Sequence, residues 1–383
     1  MHPKKSKILI VFGTRPEAIK MAPVVKEFQK FPEEFETRVC VTAQHRGMLD
    51  QVLVFFEIEP DFDLDLMKPN QNLYGLTSAI IESFGKVVEE YKPDFVYVHG
   101  DTTTSFAASL CAFYSGAKVC HVEAGLRTNN KRAPYPEEIN RQLTSRLTDI
   151  HFAPTQQAKE NLLKENVDES QIVVTGNTVI DALHLCLEKL KSYSSEELDS
   201  VKKLINPGKK LILVTGHRRE NFGDGFVQIC KALEEIAVHE EVQIIYPVHL
   251  NPNVRKPVFD ILGQVENIRL VEPLSYETFV WLMNQSYLII TDSGGIQEEA
   301  PSLGKPVLLM REVSERPEAL EAGVILVGSD KEKIVKECLS LIDDRNRYTS
   351  LASVSNLYGD GKSAIKIVDF QKGCQINQSN NVF

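Results

Sequence analysis

Three carboxylates stand where the sequence predicts acid–base chemistry. Asp101 and Glu123 follow short apolar runs, and Glu137 begins a helical segment after Pro134-Tyr135-Pro136. Carboxylates held close together repel one another, and this repulsion together with burial separates their pKa values. Such a group can divide the roles of general acid and general base. Asp101, Glu123 and Glu137 are therefore the candidate acid–base residues, although a helix N-terminus favours an acid such as Glu137 in any protein.

Basic side chains form a second group of candidates. His217-Arg218-Arg219 follows an apolar run, and a histidine there could donate a proton to a departing phosphate or neutralise it. Arg15 and Lys20 begin a helix in which Pro16 suits the first position, and both could reach phosphate oxygens. Arg316 could do the same from another loop. The alternatives are surface ion pairs and, for Arg15, a capping pair with Glu17.

A glycine turn completes the candidates for anion binding. The apolar run 288–290 ends at Thr291-Asp292, the turn Ser293-Gly294-Gly295 follows, and a helical segment begins at Ile296. Backbone N–H groups at such a turn can approach a diphosphate closely. A carboxylate one turn into the helix, Glu298 or Glu299, could bind a ribose hydroxyl. A plain strand-to-helix connection is the alternative.

Composition excludes several classes of function. The net charge of −10 argues against general nucleic-acid binding. No apolar run reaches transmembrane length, and the N-terminus lacks a signal-peptide core, so we expect a cytoplasmic protein. His99, Asp101, His121 and Glu123 alternate along predicted strands but match no zinc spacing, and the seven cysteines are scattered. The sequence therefore predicts neither a metal nor another cofactor.

Short β-branched runs alternate with amphipathic segments along the whole chain, which predicts parallel sheets covered on both faces. The runs are 8–12, 37–42, 95–98, 118–122, 150–152 and 172–174, and then 211–214, 243–246, 268–271, 288–290, 307–309 and 324–327. Two such series predict two doubly wound α/β domains. Most polar groups named above follow a run, and in open α/β sheets ligands bind at that edge. We therefore expect two Rossmann-like domains that face a central cleft.

Two local features qualify this outline. Pro23 should kink the helix that follows the first run. Residues 375–383 are rich in Asn, Gln and Ser, which predicts a disordered tail.

Ten segments in this order resemble the bacterial non-hydrolysing UDP-N-acetylglucosamine 2-epimerases and cover the chain from Ile8 to about Gly361. They are FGTRPEAIKMAP, TAQHR, HGDTTTS, HVEAGLRT, PYPEEINR, TGNTVIDAL, TGHRRENFG, YPVHLNPNV, TDSGGIQEEAPSLGKPVL and SERPEA. The resemblance implies a GT-B-like fold with an N-terminal domain at 1–175, a UDP-binding domain at 176–363, and a C-terminal helix at about 364–383 that packs back on the first domain. Phe279, in an apolar helical segment, could also stack on a base, although a core role is commoner.

The same resemblance implies a reaction. UDP is eliminated across C1–C2 of UDP-GlcNAc to give 2-acetamidoglucal, and it adds back with protonation on the opposite face to give UDP-ManNAc. The implied enzyme is a cytoplasmic homodimer that supplies ManNAc units for surface polysaccharide and uses neither metal nor nicotinamide. The implied catalytic residues are Asp101, Glu123, Glu137 and His217, with no assignment of the carboxylate that removes the C2 proton.

The resemblance also assigns substrate contacts. Arg15 and Lys20 contact the nucleotide sugar, as do Asp101, Glu123 and His217, and the remaining contacts are Leu274 and Phe279 at the uracil, Ser293, Gly294 and Gly295 at the phosphates, Glu299 at the ribose, and Arg316 near them. Leu274 replaces a polar residue of other members, so only its backbone is expected to contribute.

A second UDP-GlcNAc that activates the enzyme is implied as well. Its candidate contacts are Gln44, His45, Arg219 and His249. Gly47 stands where members usually carry Glu or Gln, which weakens this expectation.

Three other functions fit parts of the pattern: a hydrolysing epimerase that releases UDP and ManNAc, a GT-B glycosyltransferase that needs an acceptor, and a nucleotide-sugar sensor without catalysis. The full motif set favours the non-hydrolysing epimerase.

Overall fold

A computed structural model describes residues 5–43, 46–66, 71–312, 323–353 and 358–380. The chain forms two compact units. Unit 1 comprises Met1–Leu185 and Tyr358–Phe383, and unit 2 comprises Cys186–Leu357. The boundary between the units falls between Leu185 and Cys186, inside the helix Thr178–Leu190, whereas the resemblance implied a domain boundary at residue 176.

Unit 1 is built on a parallel sheet of seven strands in the order β3-β2-β1-β4-β5-β6-β7. Its strands are β1 Ser6–Phe12, β2 Phe35–Val41, β3 Phe62–Asp63, β4 Phe95–His99, β5 Lys118–Val122, β6 Ile150–Ala153 and β7 Ile172–Val174. Its helices are α1 Arg15–Gln29, α2 Arg46–Phe55, α3 Leu73–Tyr91, α4 Thr103–Ser115, α5 Glu137–Leu147, α6 Gln156–Lys164 and, shared with unit 2, α7 Thr178–Leu190.

Unit 2 repeats this plan with a parallel sheet of six strands in the order β10-β9-β8-β11-β12-β13. Its strands are β8 Lys210–Thr215, β9 Val242–Pro247, β10 Ile268–Val271, β11 Leu288–Thr291, β12 Val307–Leu309 and β13 Val324–Leu326. Its helices are α8 Glu196–Lys202, α9 Asp224–Ile236, α10 Pro252–Leu262, α11 Tyr276–Gln285, α12 Ile296–Ser302, α13 Lys331–Asp343 and α14 Arg345–Ala352, after which α15 Ser363–Asn380 returns to unit 1.

The two sheets confirm the predicted doubly wound α/β architecture, and every predicted apolar run is a strand. The strands are apolar along their length because helices cover both faces of each sheet. Only β3 was missed, because a strand of two residues at a sheet edge shows no periodicity. In each unit the strand order reverses between two central strands, β1 and β4 in unit 1 and β8 and β11 in unit 2. Crevices at such reversals are where open α/β sheets bind ligands.

Local signals in the sequence explain where α1 begins but misjudge the C-terminal tail. Thr14 and Glu17 form a capping box, and Pro16 occupies the first turn, where no N–H partner is needed. Pro23 lies inside α1 without ending it. The prediction of a disordered tail is wrong for residues 375–380, which continue α15.

Helix α15 is fixed to unit 1 by contacts in its middle turns. The Tyr97 hydroxyl donates a hydrogen bond to Gln371 Oε1 over 2.7 Å inside the core. The Lys372 ammonium lies 3.2 Å from the centre of the Phe31 ring. Among the residues that the structure describes, no helix combines the length and apolar character needed to span a membrane.

Candidate active site

In unit 1 the buried carboxylate of Glu17 joins the loops after β1 and β4. Its Oε2 accepts hydrogen bonds from the backbone N–H groups of Gly13 (3.1 Å) and Thr14 (2.8 Å). Its Oε1 accepts from the Thr102 hydroxyl over 2.6 Å and from the Ser105 hydroxyl over 3.3 Å. Glu17 therefore forms a capping box with Thr14, and the same side chain also fixes the loop that carries Asp101.

Glu123 occupies the end of β5 in an uncommon backbone conformation. Its φ of +64° lies in the left-handed region, which a residue with a side chain seldom adopts. Such conformations cost about 1–3 kcal/mol and concentrate at functional sites. Glu123 lies next to Gly100, where a Cβ would stand 3.9 Å from Glu123 Oε1. The loops after β4 and β5 thus meet at this carboxylate.

Lys20 and His99 face the Glu123 carboxylate, whose side chain is only 9% exposed. Lys20 Nζ on α1 donates a hydrogen bond to Glu123 Oε2, and His99 Nε2 lies 3.4 Å from the same oxygen. Burial raises the pKa of Glu123, but the charge and hydrogen bond of Lys20, together with the neighbouring His99, outweigh it and hold that pKa well below its usual range. Glu123 is therefore ionised at neutral pH.

Asp101 is more open than Glu123 and has a different cation. Its Oδ2 pairs with Arg141 Nη2 on α5, and its carbonyl accepts from Asn140 Nδ2 over 3.0 Å. Arg141 Nη1 also lies 3.3 Å from the fully buried Glu138, which accepts the backbone N–H groups of Thr128 and Asn129 over 3.0 Å each. Helix α5 therefore positions Asp101 through its first two turns.

The structure places Glu137 at the first residue of α5, partly exposed. No hydrogen bond or ion pair of Glu137 to Asp101 or Glu123 is found among the described residues. Arg141, expected one turn from Glu137, pairs instead with Asp101 and Glu138. The acid–base role of Glu137 stays a prediction.

Arg15 begins α1, one turn before Lys20. Its Nη1 lies 4.0 Å from the sulfur of Met48 on α2, and its side chain is partly exposed. Lys20 is instead committed to Glu123. The two cations thus lie at one strand edge but have different partners.

In unit 2 the buried carboxylate of Asp292 joins the loops after β11 and β8. Its Oδ2 accepts the backbone N–H groups of His217 and Arg218 over 2.8 Å each, and Asn221 Nδ2 lies 3.4 Å away. Its Oδ1 makes no hydrogen bond with the described residues but lies 3.4 Å from His217 Nδ1. Asp292 therefore holds both the backbone and the ring of His217.

The His217 ring is 43% exposed and faces a second imidazole. Its centroid lies 5.6 Å from that of His249, and the ring planes differ by 25°. Burial lowers the pKa of His217, Asp292 raises it, and Arg218 and His249 lower it, with a net decrease. His249 Nδ1 accepts the Asn251 N–H over 3.1 Å, so neutral His249 carries its proton on Nε2.

The turn Ser293-Gly294-Gly295 connects β11 to α12 as predicted from the sequence. Ser293 N donates to Thr291 Oγ1 over 3.0 Å, and Ser293 O accepts from Gln297 Nε2 over 3.2 Å. Gly295 has a φ of −65°, so left-handed backbone is not the reason for glycine there. Glu298 and Glu299 are both buried in the first turn of α12.

The remaining predicted residues lie before or on α11, in the turn after β8, or outside the described residues. Leu274 precedes α11, and Phe279 lies on that helix, each partly buried. Arg219 is exposed in a short 3₁₀ turn after β8. Gln44, His45 and Arg316 lie outside the described residues. Within the described ranges, no group of three or more His, Cys, Asp or Glu side chains could hold a metal ion.

Comparison with known proteins identifies the family. The family model described as UDP-N-acetylglucosamine 2-epimerase matches residues 26–372. The chain belongs to this family. It is 56% identical over 375 residues to the UDP-N-acetylglucosamine 2-epimerase of Escherichia coli O157:H7, covering 97% of this chain and 100% of that protein. The enzyme of Campylobacter jejuni is 54% identical over 370 residues, covering 95% of this chain and 96% of that protein.

Solved structures of the epimerase family show the same fold. The enzyme from Neisseria meningitidis bound to UDP-GlcNAc is 52% identical, with a TM-score of 0.88 over 96% of this chain and 100% of that one. The enzyme from Methanocaldococcus jannaschii in complex with UDP-GlcNAc and UDP is 33% identical, with a TM-score of 0.79 over 96% and 99% of the chains. The resemblance read from the motifs is therefore confirmed.

Sequence reasoning missed three carboxylates that organise the site: Glu17, Glu138 and Asp292. Each is almost fully buried and accepts backbone N–H groups from a loop that carries a candidate residue. The capping box of Glu17 is visible in the sequence, and Asp292 stands directly at a strand end. Their contacts to other loops are not visible, since they join segments far apart in the chain.

Proposed function

We propose that this chain interconverts UDP-GlcNAc and UDP-ManNAc without net hydrolysis. A base takes the proton from C2 while the bond from C1 to the UDP oxygen breaks, which leaves 2-acetamidoglucal and UDP. The UDP oxygen then re-forms the bond at C1, and an acid returns a proton to the opposite face of C2. Atoms balance without a metal or a redox cofactor.

One observation carries this proposal beyond family membership: the buried, ionised Glu123 beside Lys20 at the carboxyl edge of the unit 1 sheet. A carboxylate held ionised in a buried site is a fixed negative charge that can stabilise positive charge as it develops on the sugar, and its lowered pKa makes it a weaker base than a free carboxylate. Asp101, which is more exposed and pairs with Arg141, is suited to exchange a proton with the reacting sugar or with water. Which of the two takes the C2 proton is left open.

The groups of unit 2 suit the leaving diphosphate. His217 can donate a proton or a hydrogen bond to the phosphate oxygen that takes up negative charge, and Asp292 favours its protonated form. Ser293 and the N–H groups at Gly294 and Gly295 would cradle the phosphates. Glu299 would hold the ribose. UDP kept bound in this way is available to add back instead of being lost.

Membership of the family supports further substrate contacts and a second ligand site. Arg15 and Arg316 would contact the nucleotide sugar, and Leu274 and Phe279 would border the uracil. A second UDP-GlcNAc would activate the enzyme through Gln44, His45, Arg219 and His249. The stacking of His249 on His217 supports this, since the ligand of one ring would adjoin the other. A homodimer in the cytoplasm that serves surface polysaccharide stays a prediction.

Incubation with UDP-GlcNAc alone in D₂O tests the function. Proton NMR should show deuterium at C2 as the manno epimer appears, and anion-exchange chromatography should show that nucleotide sugar is conserved. Free UDP in stoichiometric yield would identify a hydrolysing epimerase instead. Conversion only after an acceptor is added would identify a glycosyltransferase. Binding without exchange at C2 would identify a sensor.

A further inference from the structure

Asn177 lies where the chain begins its passage out of unit 1, and it is only 2% exposed. Its backbone N–H donates to the carbonyl of Tyr358 over 2.7 Å, in the segment that returns from unit 2. Its side-chain Oδ1 accepts the N–H of Val179 over 3.0 Å at the start of α7. One residue thus joins the outgoing segment to the returning segment.

The side chain of Asn177 also reaches the acid–base group. Its Nδ2 donates to Glu123 Oε2 over 3.1 Å. The orientation of the amide follows from its other partner, because the backbone N–H of Val179 can only donate and must therefore face the amide oxygen. The NH₂ group is left facing the carboxylate.

All the described donors to Glu123 converge on one of its two oxygens. Lys20 from α1 and Asn177 donate hydrogen bonds to Oε2, and His99 Nε2 from β4 lies 3.4 Å from the same oxygen without a hydrogen bond. Among the described residues, no donor to Oε1 is found. The carboxylate is therefore held from one side, with the other oxygen turned toward Gly100 at the strand edge. An oxygen held in this way has a fixed direction relative to a ligand.

We propose that Asn177 is a positioning residue for Glu123, and that it ties this carboxylate to the two chain segments that connect unit 1 with unit 2. This inference rests on the proposed role of Glu123 in the epimerase reaction. Lys20 supplies charge to Glu123, whereas the neutral amide supplies direction. Asn177 does not touch the reacting atoms itself.

Two glycines allow the contact that places Asn177. Gly176 has a φ of +95° and Gly359 a φ of +137°, conformations that other residues seldom adopt. A Cβ on Gly176 would lie 2.7 Å from Ser363 Oγ and 3.2 Å from Gly359 Cα, and a Cβ on Gly359 would lie 3.4 Å from Gly176 Cα. A side chain at Gly176 would therefore push the two segments apart, and a side chain at Gly359 would strain the backbone there, and each change would displace Asn177 relative to Tyr358.

Two substitutions separate the role toward Glu123 from the role in starting α7. Asn177→Ser keeps an oxygen that can accept the Val179 N–H but is too short to reach Glu123. Asn177→Asp keeps that acceptor as well and places a carboxylate against Glu123. The matched control is Asn161→Ser on α6. Asn161 Nδ2 donates over 3.0 Å to the carbonyl of Gly125, which lies in the loop that begins with Glu123, so this amide also contacts that loop but through a backbone carbonyl and not through a carboxylate.

We expect kcat for UDP-GlcNAc conversion to fall by about 10- to 100-fold in both Asn177 variants, with KM changed by less than about threefold, since a misdirected Glu123 stabilises the transition state less well. The kcat of Asn161→Ser should stay within about twofold of the wild-type value, because Asn161 contacts none of the candidate catalytic side chains among the described residues. Thermal unfolding of all three variants checks the fold. Values of kcat for the Asn177 variants equal to that of Asn161→Ser would overturn the proposal.

The pH dependence distinguishes positioning from a general structural defect. In Asn177→Asp, the introduced carboxylate and Glu123 would share a proton at low pH, which restores a hydrogen bond between the two side chains. The activity of Asn177→Asp relative to wild type should therefore rise as the pH falls from about 8.5 to about 5.5, whereas that of Asn177→Ser should stay constant. Ratios that are flat for both variants would show that the loss comes from damage to the fold and not from Glu123.

Gly359→Ala tests the connection from a distance, since Gly359 contacts no acid–base residue. It should lower kcat in the same direction as Asn177→Ser but by less. A folded Gly359→Ala protein with unchanged kcat would overturn the link to the returning segment. The assay of the wild-type protein distinguishes the two failures. If the wild-type protein does not epimerise UDP-GlcNAc, the proposed function is wrong. If it does and the Asn177 variants turn over as fast, only the role of Asn177 is wrong.

Discussion

In unit 1 the carboxylate of Glu17 joins the loops after β1 and β4, and in unit 2 the carboxylate of Asp292 joins the loops after β8 and β11. Both pairs of strands are those at which the strand order reverses. A reversal leaves two loops apart at the edge of the sheet, with backbone N–H groups that need acceptors. A buried carboxylate satisfies several of these donors at once, and the two units use the same solution.

The two units differ in the side chains that lie beside these carboxylates at the sheet edge and in how exposed those side chains are. Unit 1 pairs its candidate carboxylates with cations, Glu123 with Lys20 and Asp101 with Arg141, and keeps Glu123 almost fully buried. Unit 2 presents the half-exposed ring of His217. The difference agrees with the proposed division, in which a proton is transferred at a carbon in unit 1, among fixed charges in a buried site, and a departing anion is stabilised in unit 2.

Neutralising the carboxylates of unit 1 should have the largest effect. We expect Asp101→Asn and Glu123→Gln each to lower turnover by on the order of 10³-fold, because each removes a charge or proton acceptor that the reaction uses. Formation of UDP-ManNAc, followed by anion-exchange chromatography, measures this. The control is Glu169→Gln, which breaks the exposed pair with Lys159 in the same unit and should leave turnover unchanged. Near-wild-type turnover in either variant would remove that residue from the mechanism.

Removing the imidazole of His217 should have the next largest effect. His217→Asn should lower kcat by about 100-fold, since one donor to the departing diphosphate is lost. His239→Asn is the matched control, because His239 lies in unit 2 beside Asp343 and away from the strand ends. If both variants turn over equally fast, unit 2 stabilises the anion through other groups and the division between the units is wrong.

Asp292→Asn should lower kcat by about tenfold at neutral pH and by more at higher pH. Asp292 raises the pKa of His217 against the lowering by burial, so loss of its charge lowers that pKa further and depletes protonated His217 as the pH rises. The kcat–pH profile should therefore descend at lower pH than in wild type. Glu17→Gln is the comparison, because the described donors to Glu17 do not titrate and its effect should not vary with pH.

The smallest effect concerns stability, and it arises from two histidines in the interior of unit 1. Burial lowers the pKa of His121 to about 3 and that of His151 to about 4, from 6.5. Below about pH 6.5 both histidines are protonated in the unfolded chain but stay neutral in the folded chain. The free energy of unfolding should therefore fall by about 1.4 kcal/mol for each histidine and each pH unit as the pH drops toward these pKa values. His121→Gln should flatten the fall of the unfolding temperature between about pH 7 and about pH 5, whereas His239→Asn should not.

Prediction from the sequence succeeded where the signal was local. The apolar runs specified every strand but β3, and the strand ends located Asp101, Glu123, His217 and Ser293. It failed where a residue acts across the fold. Glu138 was not singled out in the sequence, yet it is fully buried and holds the 128–129 loop.

By itself the sequence determined the family, the two doubly wound units and the strand ends that carry the chemistry, because periodicity and motifs are properties of short segments. Only the tertiary structure decided which charges meet. Lys20 and Glu123 are distant in the chain and come together at the edge of one sheet, as do Asp292 and His217 at the edge of the other. The ionisation of Glu123 and the pKa of His217 depend on these meetings and on burial, which no short segment encodes.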